Sequence, residues 1–205
     1  MNHLSLTGDE DRLLPLSPHP AAPCAGAFRL AARATRDADG RLALAFVLEG
    51  PLSALSLPPS GPPARVAGLW RHTCFEAFIA RDDAADTPYH EVNLSPARQW
   101  DLHTFRDYRD GGPLAGEPPA PWIDAHRGGS RLDLTATLDL GALDPRLRDV
   151  PLRLGLAAVL EDVRGSLSWW ALRHPAARPD FHDPTGFVLR LPLAPGTSPP
   201  YPLQP

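Results

Sequence analysis

A chain of 205 residues holds one sizeable domain and is too short for two ordinary ones. Its 20 basic residues are all Arg, so neither Schiff-base catalysis nor a phosphate-loop lysine is available. The net charge of -4 leaves no basic stripe for nucleic acid, and no run approaches the roughly 18 apolar residues of a membrane helix.

The 26 prolines fit strands separated by turns better than packed helices. Residues 1–26 are Pro-rich and read as an N-terminal arm or first strand. Their opening, MNHLSLTGDEDRLLPL, has no basic, then apolar, secretory pattern, so a cytoplasmic protein is expected. FRLAARATR (28–36) and RLALAFVLEG (41–50) form a hairpin across Asp37–Gly40. LSALSL (52–57) is a further strand or a capping turn, and 58–65 is a loop. HTCFEAFIA (72–80), YHEVNLS (89–95) and QWDLHTF (99–105) are strands, with an acidic loop after the first. Residues 107–120 form a Gly/Pro loop long enough to suspect function. WIDAHR (122–127) and RLDLTATLDL (131–140) make a second hairpin across Gly128-Gly129, and 141–150 holds a short helical turn. LRLGLAAVLED (152–162) and SLSWWALRH (166–174) are joined by Val163-Arg164-Gly165. A second long loop (174–186) precedes the closing strand FVLRLPL (187–193), and 194–205 is a flexible tail. Roughly ten strands at spacings near ten residues predict an all-β fold, an antiparallel β-sandwich with long Pro/Gly loops over 27–193.

Polar residues concentrate between Gly68 and Arg109. Glu76 lies in the apolar run CFEAFI and needs either a ligand or a structural salt bridge, to Arg71 or Arg109. On the next strand Tyr89, Glu91 and Asn93 share one face, an inventory suited to sugar hydroxyls or simply to solvent. Trp100 and Trp170 are the leading candidates for stacking on a ligand, with Trp70 and Trp169 behind them. Trp169 and Trp170 are adjacent, so one points inward and the other outward. His174, Asp180 and His182 add polar groups from the second long loop, and Arg109 adds a cation. No ligand spacing points to a metal, and no cofactor is expected. Cys24 and Cys74 make no zinc pattern, and Cys74 reads as a buried, inert thiol.

Several segments together resemble the DOMON-like family related to type 9 carbohydrate-binding modules. They are Leu69-Trp70, TCFE at 73–76, EVNLSP at 91–96, Trp100, Tyr108-Arg109, WAL at 170–172, His174-Pro175 and PDFH at 179–182. The resemblance implies a β-sandwich whose relatives bind sugars or haem. Haem-binding relatives use axial Met with His or Lys, and here the only Met is residue 1 and Lys is absent, so haem would need two histidines. The expected function is non-catalytic binding of a carbohydrate-like small molecule by Trp70, Arg71, Glu76, Tyr89, Glu91, Asn93, Trp100, Arg109, Trp170, His174, Asp180 and His182. The alternatives are a surface for a protein partner and, from the paired carboxylates Glu76 and Glu91, a glycoside hydrolase.

Overall fold

The alternating run RLALAFVLE forms a strand, β4 (Arg41–Glu49), that buries Leu42, Leu44, Phe46 and Leu48 on one face. A computed structural model of the chain describes residues 6–7, 12–22, 27–83 and 88–193. In it β3 (Arg29–Arg36) pairs antiparallel with β4. The turn between them is held by Asp37, whose Oδ1 accepts from the backbone N–H groups of Asp39 and Arg41. The hairpin of β10 (Trp122–Gly128) and β11 (Arg131–Asp139) lies on the other edge of β4.

A second group of strands is apolar or buried on both faces. It comprises β6 (Cys74–Arg81), β7 (Tyr89–Leu94), β8 (Gln99–Asp107) and β12 (Leu152–Glu161), in the order β12-β6-β7-β8. β13 (Leu167–Ala171) and β14 (Leu189–Leu191) share the free edge of β12. At the far side, β9 (Asp110–Pro113) and β5 (Ala64–Arg65) pair with β8.

The two groups form one continuous sheet. β2 (Leu14–Pro18) gives Leu14–Leu16 to β3 and Ser17 and Pro18 to β13. Half of the described residues lie in strands, and the sheet curls into a half-barrel. The mostly-β class expected from the sequence holds. The antiparallel sandwich does not describe the pairing, because the sheet is mixed: β5 runs parallel to β8, and β1 (Leu6–Thr7) runs parallel to β14. Two-residue strands are too short to leave a hydrophobic period, and a period reports a buried face without naming the edge partner.

One face of each group contributes to a single apolar core, where the Phe46 and Phe75 rings lie 5.2 Å apart. A smaller cluster, including Phe78, Tyr89, Phe105 and Phe187, sits on the opposite face of β6-β7-β8, beneath the 172–188 segment. The expected helical turn is α1 (Leu140–Leu143), whose first turn is capped by Asp139 accepting from the Ala142 N–H. Within 52–57 the chain makes a 3-10 turn at Leu52–Ala54 and a single bridge from Leu55 to Asp162. Among the described residues no helix is long and apolar enough to cross a membrane. Cys24 and the 194–205 tail lie outside the described residues.

Candidate functional site

Register fixes which side chains meet on the face of β12-β6-β7-β8 turned away from the main core. One row across the sheet is Ala157, Glu76, Asn93 and Asp101. The next is Gly155, Phe78, Glu91, His103 and Pro113. On the other side of the first row, Trp169 of β13 lies opposite Val159, which lies opposite Cys74. Alternation along each strand places all these side chains on the face opposite the main core.

A cleft of about 410 Å³ opens over these rows. That is within the range of roughly 300–1,000 Å³ typical of small-ligand sites. Glu76, Glu91 and Phe78 form its floor. Trp70, Trp169, Phe105, Phe181, Arg109 and His182 are among its walls. Trp70 comes from the 3-10 turn Leu69–Arg71, entered through Gly68 at φ +81, and its ring meets His103 edge-on at 5.3 Å. Arg109 lies in the tight turn between β8 and β9, at φ +55. Beside it, Gly111 lies so close to β8 that a β-carbon there would run into the Thr104 carbonyl oxygen.

The floor carries the unusual electrostatics. Glu76 is buried, and its Oε1 has no hydrogen-bond partner. Burial, then the neighbouring Glu91, holds its carboxyl well above the usual range. Glu91 Oε1 accepts from Asn93 Nδ2 at 2.7 Å, yet burial still raises its carboxyl too. Asn93 Oδ1 in turn accepts from the Cys74 thiol at 3.5 Å. Burial, with Glu76 adding, pushes that thiol up, so it stays protonated and inert.

The wall opposite is a hydrogen-bonded set. The Tyr89 hydroxyl accepts from the Arg109 backbone N–H at 3.1 Å and lies 2.8 Å from His182 Nδ1. Burial, then Arg109, pushes the His182 imidazole down to about 4. The neutral ring fits a Tyr89 hydroxyl donating to Nδ1, which leaves the proton on Nε2, facing Glu91 Oε2 at 3.7 Å. Arg109 Nη2 donates to Asp180 Oδ1 at 2.8 Å, and the Tyr108 hydroxyl donates to Asp180 Oδ2. Burial alone would raise the Asp180 carboxyl, but these two donors hold it below the usual range.

Of the residues singled out from sequence, Trp70, Glu76, Glu91, Arg109 and His182 line the cleft. Tyr89, Asn93 and Asp180 stand directly behind them, holding His182, Glu91 and Arg109. The ion pair considered between Glu76 and Arg71 or Arg109 is absent among the described residues. Arg71 is exposed over the Trp70 ring, 5.9 Å from its centroid, and Arg109 is committed to Asp180. Trp100 and Trp170 are packed in the main core, facing away from the cleft. The Trp170 Nε1–H is satisfied by Ser168 Oγ at 3.0 Å. His174 is also elsewhere, 2.8 Å from the Ser17 carbonyl oxygen and edge-on to His19. Phe78, His103, Phe105 and Phe181, which were not among the expected ligand contacts, also line the cleft, as does Trp169, which was placed behind Trp100 and Trp170. Phe78 and His103 could have been found from register, since both lie opposite Glu91 on neighbouring strands.

The fold is similar to that of solved proteins of the carbohydrate-binding class. A candidate carbohydrate-binding protein from Bacteroides uniformis matches over 88% of this chain and 85% of its own, with a TM-score of 0.62 and 14% identity. A family 9 carbohydrate-binding module from Caldicellulosiruptor kristjanssonii, solved with glucose, matches over 88% and 84% with a TM-score of 0.50 and 7% identity. The same kind of module solved with cellotriose matches over 94% and 89%, again at 0.50, with 8% identity. At such identities the likeness is one of fold. No protein-family model matches the chain, and no curated protein matches it in sequence.

Proposed function

We propose that this cleft binds a small carbohydrate, or a metabolite containing one, without turning it over. One observation carries the reading: aromatic walls stand over a floor carboxylate, Glu76, that is buried and has an unsatisfied oxygen. Sugars present an apolar C–H face and a rim of hydroxyl donors. Trp169, Phe105 and Phe181 supply surface for the first, and Glu76 and Glu91 supply acceptors for the second. A buried acceptor without a partner costs roughly 1–3 kcal/mol, and a ligand hydroxyl would recover it. The similar folds solved with glucose and cellotriose support the same class of ligand. The DOMON-like resemblance remains part of this proposal.

Isothermal titration of the purified chain with glucose, cellotriose, sugar nucleotides and murein fragments tests it. Binding of at least one, weakened about tenfold or more by Trp169→Ala, is expected. Affinity unchanged in both Trp169→Ala and Glu91→Gln would remove the cleft from consideration.

A further inference from the structure

The charges around the cleft do not balance. Asp101 is held by Arg65 Nε at 2.8 Å and by His103 Nε2 at 3.0 Å. Asp180 is held by Arg109, and Glu161 by His72 Nδ1 at 2.8 Å. The floor pair has no such partner, and at the rim Arg71 stands exposed over the Trp70 ring. Neither Glu76 nor Glu91 has an ion-pair partner of fixed positive charge among the described residues. The nearest nitrogen that could become cationic, His182 Nε2, stands 3.7 Å from Glu91 in a ring that burial keeps neutral.

Register makes Glu76 and Glu91 diagonal neighbours on adjacent strands, since Glu76 is opposite Asn93 and Glu91 is opposite Phe78. Side chains so placed are within reach of one small group. We propose that the cleft selects a sugar bearing a free amine, a hexosamine whose ammonium group docks between Glu76 and Glu91. This deepens the carbohydrate reading and rests on it.

A neutral hydroxyl can satisfy the bare Oε1 but leaves two carboxyl groups facing each other. An ammonium supplies three N–H donors and the missing charge at once. The aromatic lining favours a cation as well, since Trp and Phe ring faces attract one. Arg109 is turned to Asp180, which offsets its charge at the rim.

The proposal fixes a proton balance. In the empty cleft, burial and mutual repulsion raise both carboxyls, which favours a proton kept on the pair. When the sugar ammonium enters, that carboxyl proton leaves for the buffer and the ammonium keeps its own, so amine binding releases a proton and binding of a neutral sugar does not. The other titratable or charged groups around the pair are Cys74 from β6, Tyr89 from β7, Asp101 and His103 from β8, and Glu161 at the end of β12. The turns and the 172–188 segment add Arg71, His72, Tyr108, Arg109, Asp180 and His182, and β5 adds Arg65. Asp101 with Arg65 and Asp180 with Arg109 cancel locally, and Cys74 stays protonated.

Calorimetry with D-glucosamine, D-glucose and N-acetyl-D-glucosamine, near pH 6.5 and in two buffers of different ionisation enthalpy, tests the inference. Glucosamine should bind about tenfold tighter than the two neutral sugars and should alone release protons. Glu76→Gln and Glu91→Gln, each confirmed as folded by near-UV circular dichroism, should remove the proton release and the preference, so that glucosamine binds no tighter than glucose within the same variant. Glucose or N-acetylglucosamine binding as tightly as glucosamine would overturn the amine assignment and leave the carbohydrate reading standing. If none of these three binds but a sugar nucleotide or murein fragment does, the amine assignment again fails alone. If no sugar of any kind binds, both fail.

Discussion

Trp169 and Trp170 are consecutive in the chain and serve opposite faces of the sheet: Trp169 looks into the cleft, and Trp170 is sealed in the main core with its indole N–H on Ser168. Replacing each by Ala should therefore separate function from stability. Trp170→Ala should cost about 3–5 kcal/mol of stability, the range for large aromatic truncations in cores. Trp169→Ala should cost about 1 kcal/mol or less and weaken ligand binding. Urea titration and calorimetry on the two variants measure this, and equal stability losses would contradict the assignment.

Glu76 gives the second prediction. Its folded-state carboxyl is raised above its unfolded value of roughly 4.3, so the folded state binds the extra proton. Stability linked to this group is therefore present below that pH and is lost as pH rises through the folded value. With Glu91 shifted the same way, the pair's contribution should shrink as pH rises above the unfolded value, read as a pH-dependent difference in melting temperature between the parent and Glu76→Gln. Glu76→Gln should flatten that slope and leave stability at pH 7 within about 1 kcal/mol of the parent, or above it. A loss of about 3–5 kcal/mol, as for a broken buried ion pair, would mean that Glu76 has a cationic partner.

His182 acts on the acid side, with the opposite sign. Its imidazole falls from roughly 6.5 when unfolded to about 4 in the fold. The unfolded chain takes up the proton first, so stability is lost as pH drops from about 6.5 and the loss saturates below about 4. The shift corresponds to up to about 3 kcal/mol, an order-of-magnitude figure. His182→Asn should lessen the loss over that interval, and an NMR titration of the imidazole should show it neutral at pH 6. An ordinary midpoint near 6.5 would refute the buried, neutral ring.

Gly111 tests how the cleft rim is built. A methyl group there would collide with the Thr104 carbonyl, which is backbone and cannot rotate aside. Gly111→Ala should cost about 1–3 kcal/mol and displace β9 from β8. Ligand affinity should fall with it, because Gly111 and Pro113 line the cleft. A variant with unchanged melting temperature and affinity would show that the strand pairing adjusts freely.

Much of the fold was legible because burial imposes a period. The hairpin of β3 and β4 stands where alternation and the Asp37–Gly40 turn predicted it. The face shared by Tyr89, Glu91 and Asn93 was legible for the same reason. The choice between Trp169 and Trp170 was not, since alternation says that the two differ without saying which is inside. That depends on the pairing of β13 with β12, which sets Trp169 against Val159. Trp100 misled for a related reason: a tryptophan in a polar-looking segment can still project into the core, and here it does. The contribution of Phe181 and His182 required a loop to fold back over Phe78, a tertiary contact with no local signature.

The bridging role of β2 ties folding to the order of synthesis. Its first edge partner, β3, leaves the ribosome almost at once. Its second is completed only when Trp170 and Ala171 have been made, about 150 residues later. Until then the early hairpins carry an open strand edge and an uncovered apolar face, which are the features that recruit chaperones or other nascent chains. Closure of the half-barrel is thus a late, long-range event, so folding should be slow for a chain of this size.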